Sequence, residues 1–228
     1  MTTGQVGRDG GRRVPTATWD RLPDARRRAV LAAAEAEFGA RGFSGGSLNV
    51  IARNAGVAKG SLFQYFTDKA DLYAHLSELA SLRIRAHMER FVAGVSWENG
   101  FFPAYTQLLL EWVEYFRTHE VERALTAAVN LEPDASARSA VRGVANRHYL
   151  EVLRPMLQHG QAAGDLRADA DLDAFLALLL LVLPHLALAP HSPGLDPVLG
   201  LAADVPEQPE VAVRRLVAVF RSAFGQPH

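Results

Sequence analysis

The amino-acid sequence predicts an all-α protein, in which a three-helix N-terminal unit precedes a larger helical domain. Apolar residues recur at helical spacing from Asp24 almost to the end of the chain. No stretch alternates apolar and polar residues as a half-buried strand would, and no internal repeat is visible. The chain is 49% hydrophobic and 21% charged, which is typical of a protein that buries a core.

The helices are predicted in order from their apolar spacing and their breakers. Gly42 is placed to stop the first helix, and Ser47 is a good N-cap for the second. Pro155 lies inside a later helix, where we expect a kink or a break. Several prolines between residues 190 and 209 predict a long loop before the last helix. The predicted helices are 24–42, 47–55, 59–65, 69–94, 102–118, 120–131, 135–162, 170–189 and 208–224.

The charges are divided unevenly along the chain. Residues 1–69 hold 11 Arg and Lys against 6 Asp and Glu, a net charge of +5, and residues 70–228 carry −6. A basic N-terminal part favours a polyanion as its partner, unless the charges have drifted by chance. We expect residues 1–20 to form a disordered tail, whose arginines either reach a minor groove or are merely solvated. Those arginines are Arg8, Arg12 and Arg13.

Two short predicted helices around Gly56 form a helix-turn-helix. Gly56 can adopt the left-handed conformation that ends a helix, and the second helix then buries Leu62 and Phe66. The second helix of such a unit enters the major groove of DNA. Many proteins contain two short helices around a glycine, so the spacing alone is a weak indication. The side chains left over on the second helix are a cation, a hydroxyl, an amide and two aromatic rings, which suit phosphates, base edges and thymine methyl groups. They are Lys59, Ser61, Phe63, Gln64 and Tyr65.

Three motifs occur in order between residues 26 and 76: A-A-x-x-x-F-x-x-x-G-F, I-A-x-x-A-G-V and K-G-S-L-F-Q-Y-F-x-x-K. With these motifs, residues 26–76 resemble the DNA-binding domain of the TetR/AcrR family of transcription regulators. The resemblance implies a phosphate contact for Ser47 and for Lys69, a base contact for Asn49, and a close backbone approach to the duplex at Gly60. The full set of DNA contacts that it implies is Ser47, Asn49, Lys59, Gly60, Ser61, Phe63, Gln64, Tyr65 and Lys69.

The sequence departs from the family pattern at a few positions. Gly45 and Gly46 stand where a threonine often precedes the serine, which predicts a looser loop. Ala58 and Phe63 each remove one phosphate donor. These changes weaken single contacts without changing the class of protein.

The resemblance also implies a larger domain that binds a ligand and forms a dimer. The last two helices, about 170–189 and 208–224, are expected to pair with their copies in a homodimer. The apolar run 174–189 is short for a membrane span and contains Pro184 and His185, so we expect no membrane partner. An apolar stripe on the last helix suits the interface: Val211, Val213, Leu216, Val217, Phe220 and Phe224. A ligand cavity is expected among the middle helices, lined by Phe91, Phe101, Tyr105, Gln107, Glu111, Trp112, Phe116, Asn130, Arg147 and His148.

The function expected from these features is that of a repressor. It would bind a palindromic operator as a homodimer and be released by a small apolar or amphipathic ligand. The alternatives are a regulator without an effector and an activator. No catalytic motif and no metal-ligand spacing is present, so we expect no enzyme, cofactor or metal. The absence of cysteine fits a cytoplasmic protein. The expected domains are the tail 1–20, the helix-turn-helix domain 21–68, and the ligand-binding and dimerisation domain 69–228.

Overall fold

The computed structural model describes residues 15–202 and 208–227 and confirms the all-α fold. Within these ranges the chain forms ten α-helices and a short 3-10 turn, Ala189–His191, and pairs Leu166 with Gly225 in an isolated bridge. The helices are α1 Ala17–Asp20, α2 Asp24–Gly45, α3 Leu48–Asn54, α4 Lys59–Tyr65, α5 Lys69–Gly94, α6 Phe101–Thr118, α7 Glu120–Asn130, α8 Ala135–Ala162, α9 Leu172–Leu188 and α10 Gln208–Phe224.

The predicted helix boundaries agree with the observed ones to within a few residues, and the differences have local causes. Gly42 interrupts α2 as a kink, with φ 65° and ψ −175°, and one further turn continues to Gly45. Pro155, where a kink or a break was expected, lies inside α8, and the helix continues past it without a break. Pro155 is exposed, and so is Glu151, whose carbonyl loses its hydrogen-bond donor. Water can therefore satisfy that carbonyl.

The expectation of a disordered tail is wrong for its last residues. Residues 1–14, with the three tail arginines, lie outside the described residues, but Ala17–Asp20 is helical. Trp19 is only 5% exposed and packs on Tyr65 and Phe66, with ring centroids 5.8 and 5.0 Å apart. The Thr16 hydroxyl donates to the Gln64 carbonyl at 2.6 Å. Helix α1 therefore packs against the C-terminal end of α4.

Two apolar cores are present, and α5 contributes to both. The N-terminal core joins residues of α1 to α5 with Leu125 and Val129 of α7 and Val141 of α8. The second core lies among α6, α8, α9 and α10 and includes Ile84 and Met88 of α5. We use "head" for residues 15–68 and "body" for residues 69–227. Because body helices complete the N-terminal core, head and body are packed together rather than linked by a free tether.

Helix α9 is apolar on almost all sides but is buried on only part of its surface. The segment Leu172–His191 is the one stretch of the described chain that is long and apolar enough to cross a membrane, with a mean hydropathy of 2.2 and 44% of it buried. The core helix of a soluble protein can have the same length and apolar composition, so these two criteria are weak evidence for a membrane span. Phe175, Leu179 and Leu183 point into the body core, whereas Leu181 is 69% exposed. The outer face of α9 is therefore an apolar surface.

The stripe on α10 that was expected at a dimer interface is mostly core of its own subunit. Val213, Val217, Phe220 and Phe224 are buried in the body core. Helix α6 packs against this face, and the Phe175 ring at the start of α9 stacks on those of Phe220 and Phe224. The exposed apolar residues of α10 are instead Val211 and Val219.

Candidate DNA interface

The turn between α3 and α4 is a Schellman motif built on Gly56. Gly56 has φ +66°. Its N–H donates to the Arg53 carbonyl at 3.2 Å, and the Val57 N–H donates to the Ala52 carbonyl at 3.0 Å. These bonds satisfy the last carbonyls of α3 and turn the chain toward α4. The helix-turn-helix therefore has the geometry that the sequence predicts.

Helix α4 has a buried face and an exposed face, and Tyr65 lies on the buried one. Tyr65 is 5% exposed, so the expectation that it points outward with the DNA-contact residues is wrong. It follows Leu62 by three residues, which places both on the same side of the helix. The exposed side carries Lys59, Gly60, Phe63 and Gln64, with Ser61 half-buried at its edge.

The fold of the chain does not require the glycine at position 60 or bury the aromatic ring at position 63. A Cβ added to Gly60 would meet nothing within 4 Å, and Gly60 does not have a positive φ. Neither packing nor backbone conformation therefore requires a glycine there. Phe63 leaves 42% of its surface exposed. Both features suit a helix that another molecule approaches closely.

The start of α3 also presents polar groups outward. Ser47 occupies the N-cap position, but its side chain makes no capping bond to the helix. Its backbone N–H donates to the buried Glu37 carboxylate at 3.0 Å. Asn49, in the first turn, is exposed. The Ser47 hydroxyl and the Asn49 amide thus lie at the same end of α3.

Lys69, the first residue of α5, is engaged inside the chain. Its Nζ donates to the Gly46 carbonyl at 3.3 Å and lies 4.4 Å from the centroid of the Phe43 ring. An ammonium group has three donors, so a phosphate contact would share this group with an internal one. Lys69 therefore also holds the segment that leads into α3.

In the described part of the body two small cavities lie beside α5 and α8, and larger clefts of about 310 to 460 Å³ lie elsewhere on the chain. Each of the two small cavities has a volume of about 30 Å³, room for roughly one water molecule. Ile84 and Tyr149 line both. The first cavity is otherwise lined mainly by Met88, Leu108, Trp112, His148, Val152, Leu153 and Leu183, and the second by Ser77, Ala80, Ser81, Leu125, Thr126, Val129, Asn130, Val141 and Ala145.

The residues expected to line one ligand cavity do not meet in one place. Trp112 and His148 line the first cavity and Asn130 lines the second. The other aromatic residues belong to the body core: Phe101 and Tyr105 stack on each other, Phe116 packs on Trp112, and Phe91 is half-buried at the edge of the core. The Glu111 carboxylate is hydrogen-bonded to His87. Gln107 and Arg147 are exposed.

His148 is the most constrained polar residue of the first cavity. It is buried, and its Nε2 lies 3.0 Å from the Glu78 carboxylate. Its Nδ1 has no hydrogen-bond partner within the chain. A buried polar atom of this kind is usually satisfied by water or by a ligand.

Residues 30–76, which run from the head into the start of α5, match a family model described as bacterial regulatory proteins, tetR family. This match spans α3, the Gly56 turn and α4, the elements whose geometry is described above. The chain carries the N-terminal domain of the tetR family. Together with the helix-turn-helix, this match supports a DNA-binding regulator.

Solved structures show the same fold along almost the whole chain. A TetR-family transcriptional regulator from Chloroflexus aurantiacus is 21% identical, with a TM-score of 0.63, covering 94% of this chain and 100% of that one. The fatty acid degradation regulator FadR from Bacillus halodurans is 15% identical, with a TM-score of 0.65 and coverages of 84% and 96%. NemR from E. coli, in its reduced form, is 20% identical, with a TM-score of 0.62 and coverages of 90% and 99%. No curated protein matches the chain.

In this tetR-family domain, the departure at Gly46 has a physical reason. A Cβ at this position would lie 2.5 Å from Cδ1 of Phe38 and 2.9 Å from the Gly42 carbonyl oxygen. Phe38 is fully buried, so it has little room to move. The backbone at Gly46 thus packs directly on the head core, which does not support the loose loop that the sequence predicts.

Glu132, in the connection between α7 and α8, was missed by the sequence analysis. It is 2% exposed, and its Oε2 accepts hydrogen bonds from the N–H groups of Phe43 and Ser44 at 2.8 and 3.1 Å. Its Oε1 accepts from the Ser44 hydroxyl and from the Asp134 N–H. Burial alone would raise the pKa of this carboxyl, but these hydrogen bonds outweigh burial and hold the pKa below its ordinary value. The carboxylate is therefore stabilised in its charged form between body and head.

Proposed function

We propose that this tetR-family regulator is a repressor that binds a near-palindromic operator as a homodimer. The observation that carries the proposal is the exposed side of α4, where a cation, a glycine, an aromatic ring and an amide lie together. The proposed DNA contacts are Ser47, Asn49, Lys59, Gly60, Ser61, Phe63, Gln64 and Lys69. Tyr65 leaves the set because its ring is buried against Trp19.

The homodimer is supported by the outer faces of the last two helices. Leu178 and Leu181 of α9 and Val211 and Val219 of α10 are exposed. Exposed large apolar side chains favour association, because pairing removes their surface from water. Two copies related by a two-fold axis would present two α4 helices to two half-sites.

Release by a small apolar or amphipathic ligand is the second part of the proposal. The nearly apolar lining of the first cavity and the unpartnered Nδ1 of His148 support it. The small volume of both cavities favours the alternative, a regulator without an effector. Screening a ligand library for shifts in melting temperature separates these two, because a ligand that binds the native state stabilises it.

The DNA-binding proposal is tested by selecting bound duplexes from a random pool and measuring affinity for the selected sequence. Gln64→Ala is expected to relax base preference and to cost about 1–3 kcal/mol per half-site. Lys59→Ala is expected to weaken all sequences alike and to reduce the salt dependence. Gln158→Ala, an exposed change in the body, is the matched control. Unchanged affinity and unchanged selected sequence for Gln64→Ala would contradict the assignment of α4.

A further inference from the structure

The link between α7 and α8 contacts the head at the point where the chain turns into the helix-turn-helix. After the kink at Gly42, the residues Phe43 to Gly45 form a single helical turn that leads through Gly46 and Ser47 into α3. The first N–H groups of a helical turn have no partner within it. Glu132 of the body accepts two of them, and so acts as an N-cap supplied from 88 residues away.

We infer that the Glu132 carboxylate is a positioning contact through which the body sets the placement of the helix-turn-helix on DNA. The inference rests on the proposed function, because it concerns how DNA binding by α3 and α4 is regulated. Glu132 lies outside the DNA-contact set and outside the two small cavities, and it lines a separate cleft of about 310 Å³ together with Gly42 and Ser44. The chemistry is that of a charged acceptor which holds backbone donors of another domain.

Several features make this contact specific rather than incidental. Gly42 has φ +65°, and a Cβ there would lie 3.2 Å from Glu132 Oε2, so a side chain at Gly42 would crowd the carboxylate. At the other end of the same turn, Lys69 of α5 holds the Gly46 carbonyl. The turn from Phe43 to Gly46 is thus held at both ends by residues of the body.

The second cavity is lined by residues of α7 that directly precede Glu132 in the sequence. Its α7 lining residues, Leu125, Thr126, Val129 and Asn130, end two residues before Glu132. An occupant that moves the last turn of α7 would therefore move Glu132 relative to Phe43. The other polar link between α5, α2 and α7 runs through Arg83 to Glu35 and Glu122, and Arg83 is 42% exposed. Solvent screens that link, so we assign the coupling to Glu132.

The experiment imitates an occupant with a side chain, so that no ligand is needed. Ala145→Leu fills the second cavity from α8, and Ala145→Val serves if the larger residue prevents folding. Each is combined with Glu132→Ala in a double-mutant cycle. The readouts are affinity for the selected operator duplex and hydrogen exchange of the segment 43–54. The controls are Glu120→Gln on α7 and Ala162→Leu on α8, both at exposed positions.

We expect Glu132→Ala to weaken operator binding by about 2-fold to 30-fold and to speed exchange in the segment 43–54. Glu132→Gln should restore part of the affinity, because its amide oxygen can still accept from Phe43 and Ser44. Ala145→Leu should weaken binding in the wild type but have no further effect beside Glu132→Ala. Both controls should bind as the wild type does.

Two results would overturn the inference. One is that Ala145→Leu reduces operator affinity equally in the wild type and in Glu132→Ala, since the two sites would then act independently. The other is wild-type operator affinity and wild-type exchange in Glu132→Ala. Failure of the proposed function is a separate outcome: the wild type would select no duplex, while the exchange measurement would still report whether Glu132 positions the head.

Discussion

Replacing Trp19 by alanine is expected to destabilise the whole head, although the helix that carries it has only four residues. An isolated helix of this length is not stable in water, so α1 is held by the packing of Trp19 and by the hydrogen bonds of Thr16 to the end of α4. Trp19 contacts the rings of Tyr65, Phe66 and His75. Its loss would therefore leave a cavity beside the C-terminal end of α4, the helix proposed to enter the major groove.

The magnitude follows from the buried area. A tryptophan buries at most about 250 Å², which at about 25 cal/mol per Å² corresponds to about 6 kcal/mol as an upper limit. A compact denatured state reduces the area by roughly 10–40%, and measured Trp→Ala changes are about 3–5 kcal/mol. We expect a loss of about 3–5 kcal/mol for Trp19→Ala.

The assay is urea denaturation followed by circular dichroism, with Thr18→Ala as an exposed control in the same helix. The free energy of unfolding should fall for Trp19→Ala and stay within about 0.5 kcal/mol of the wild-type value for Thr18→Ala. A loss below about 1 kcal/mol for Trp19→Ala would refute the docking of α1 on α4.

Three further predictions follow from burial and charge. Gly60→Ala should leave stability unchanged or raise it by up to about 1 kcal/mol, because alanine favours helix, while operator affinity falls as the added methyl group blocks approach. A loss of operator affinity that is matched by an equal loss of stability would contradict the prediction. Leu181→Arg should yield folded monomers in sedimentation velocity, since Leu181 is 69% exposed in the subunit; a dimer of unchanged affinity would exclude α9 from the interface. Burial raises the pKa of Tyr115 and of Tyr149 to about 12, so stability should fall as the pH rises from about 10 through 12, where only the unfolded chain ionises readily. Phenolate absorbance in the folded protein near pH 10 from all five tyrosines would contradict this.

The helices and the Gly56 turn could be predicted because they depend on local sequence. Apolar spacing and a glycine at the end of α3 operate over a few residues, and the structure reproduces both. Tyr65 was misplaced because its partner, Trp19, lies in a segment too short to show a period. The residues predicted to line one cavity are dispersed for a related reason: aromatic residues such as Phe101 and Tyr105 stack on each other, and no spacing along the chain reveals that.

Glu132 could not be predicted for a different reason. Nothing in the sequence around residue 132 distinguishes it from an exposed acidic residue of a loop. Its role depends on backbone N–H groups 88 and 89 residues earlier, which are free only because Gly42 interrupts α2. The sequence shows the glycine and the glutamate, but the fold alone brings them together.

The size of the cavities constrains how a ligand could release this regulator from DNA. A site for a small molecule usually has a volume of about 300 Å³ or more, and each cavity has about 30 Å³. A ligand that entered either of these two cavities would therefore bind a minor, expanded state, and its apparent affinity would be reduced by the population of that state. Tyr149 and Ile84 line both cavities, so displacing the Tyr149 ring from Trp112, 5.5 Å away, would join the two. The enlarged space would lie against the last turn of α7, which ends two residues before Glu132. Opening the cavity and loosening the Glu132 contact would then be one movement, and a ligand that favours it discriminates between the two states, as release from DNA requires.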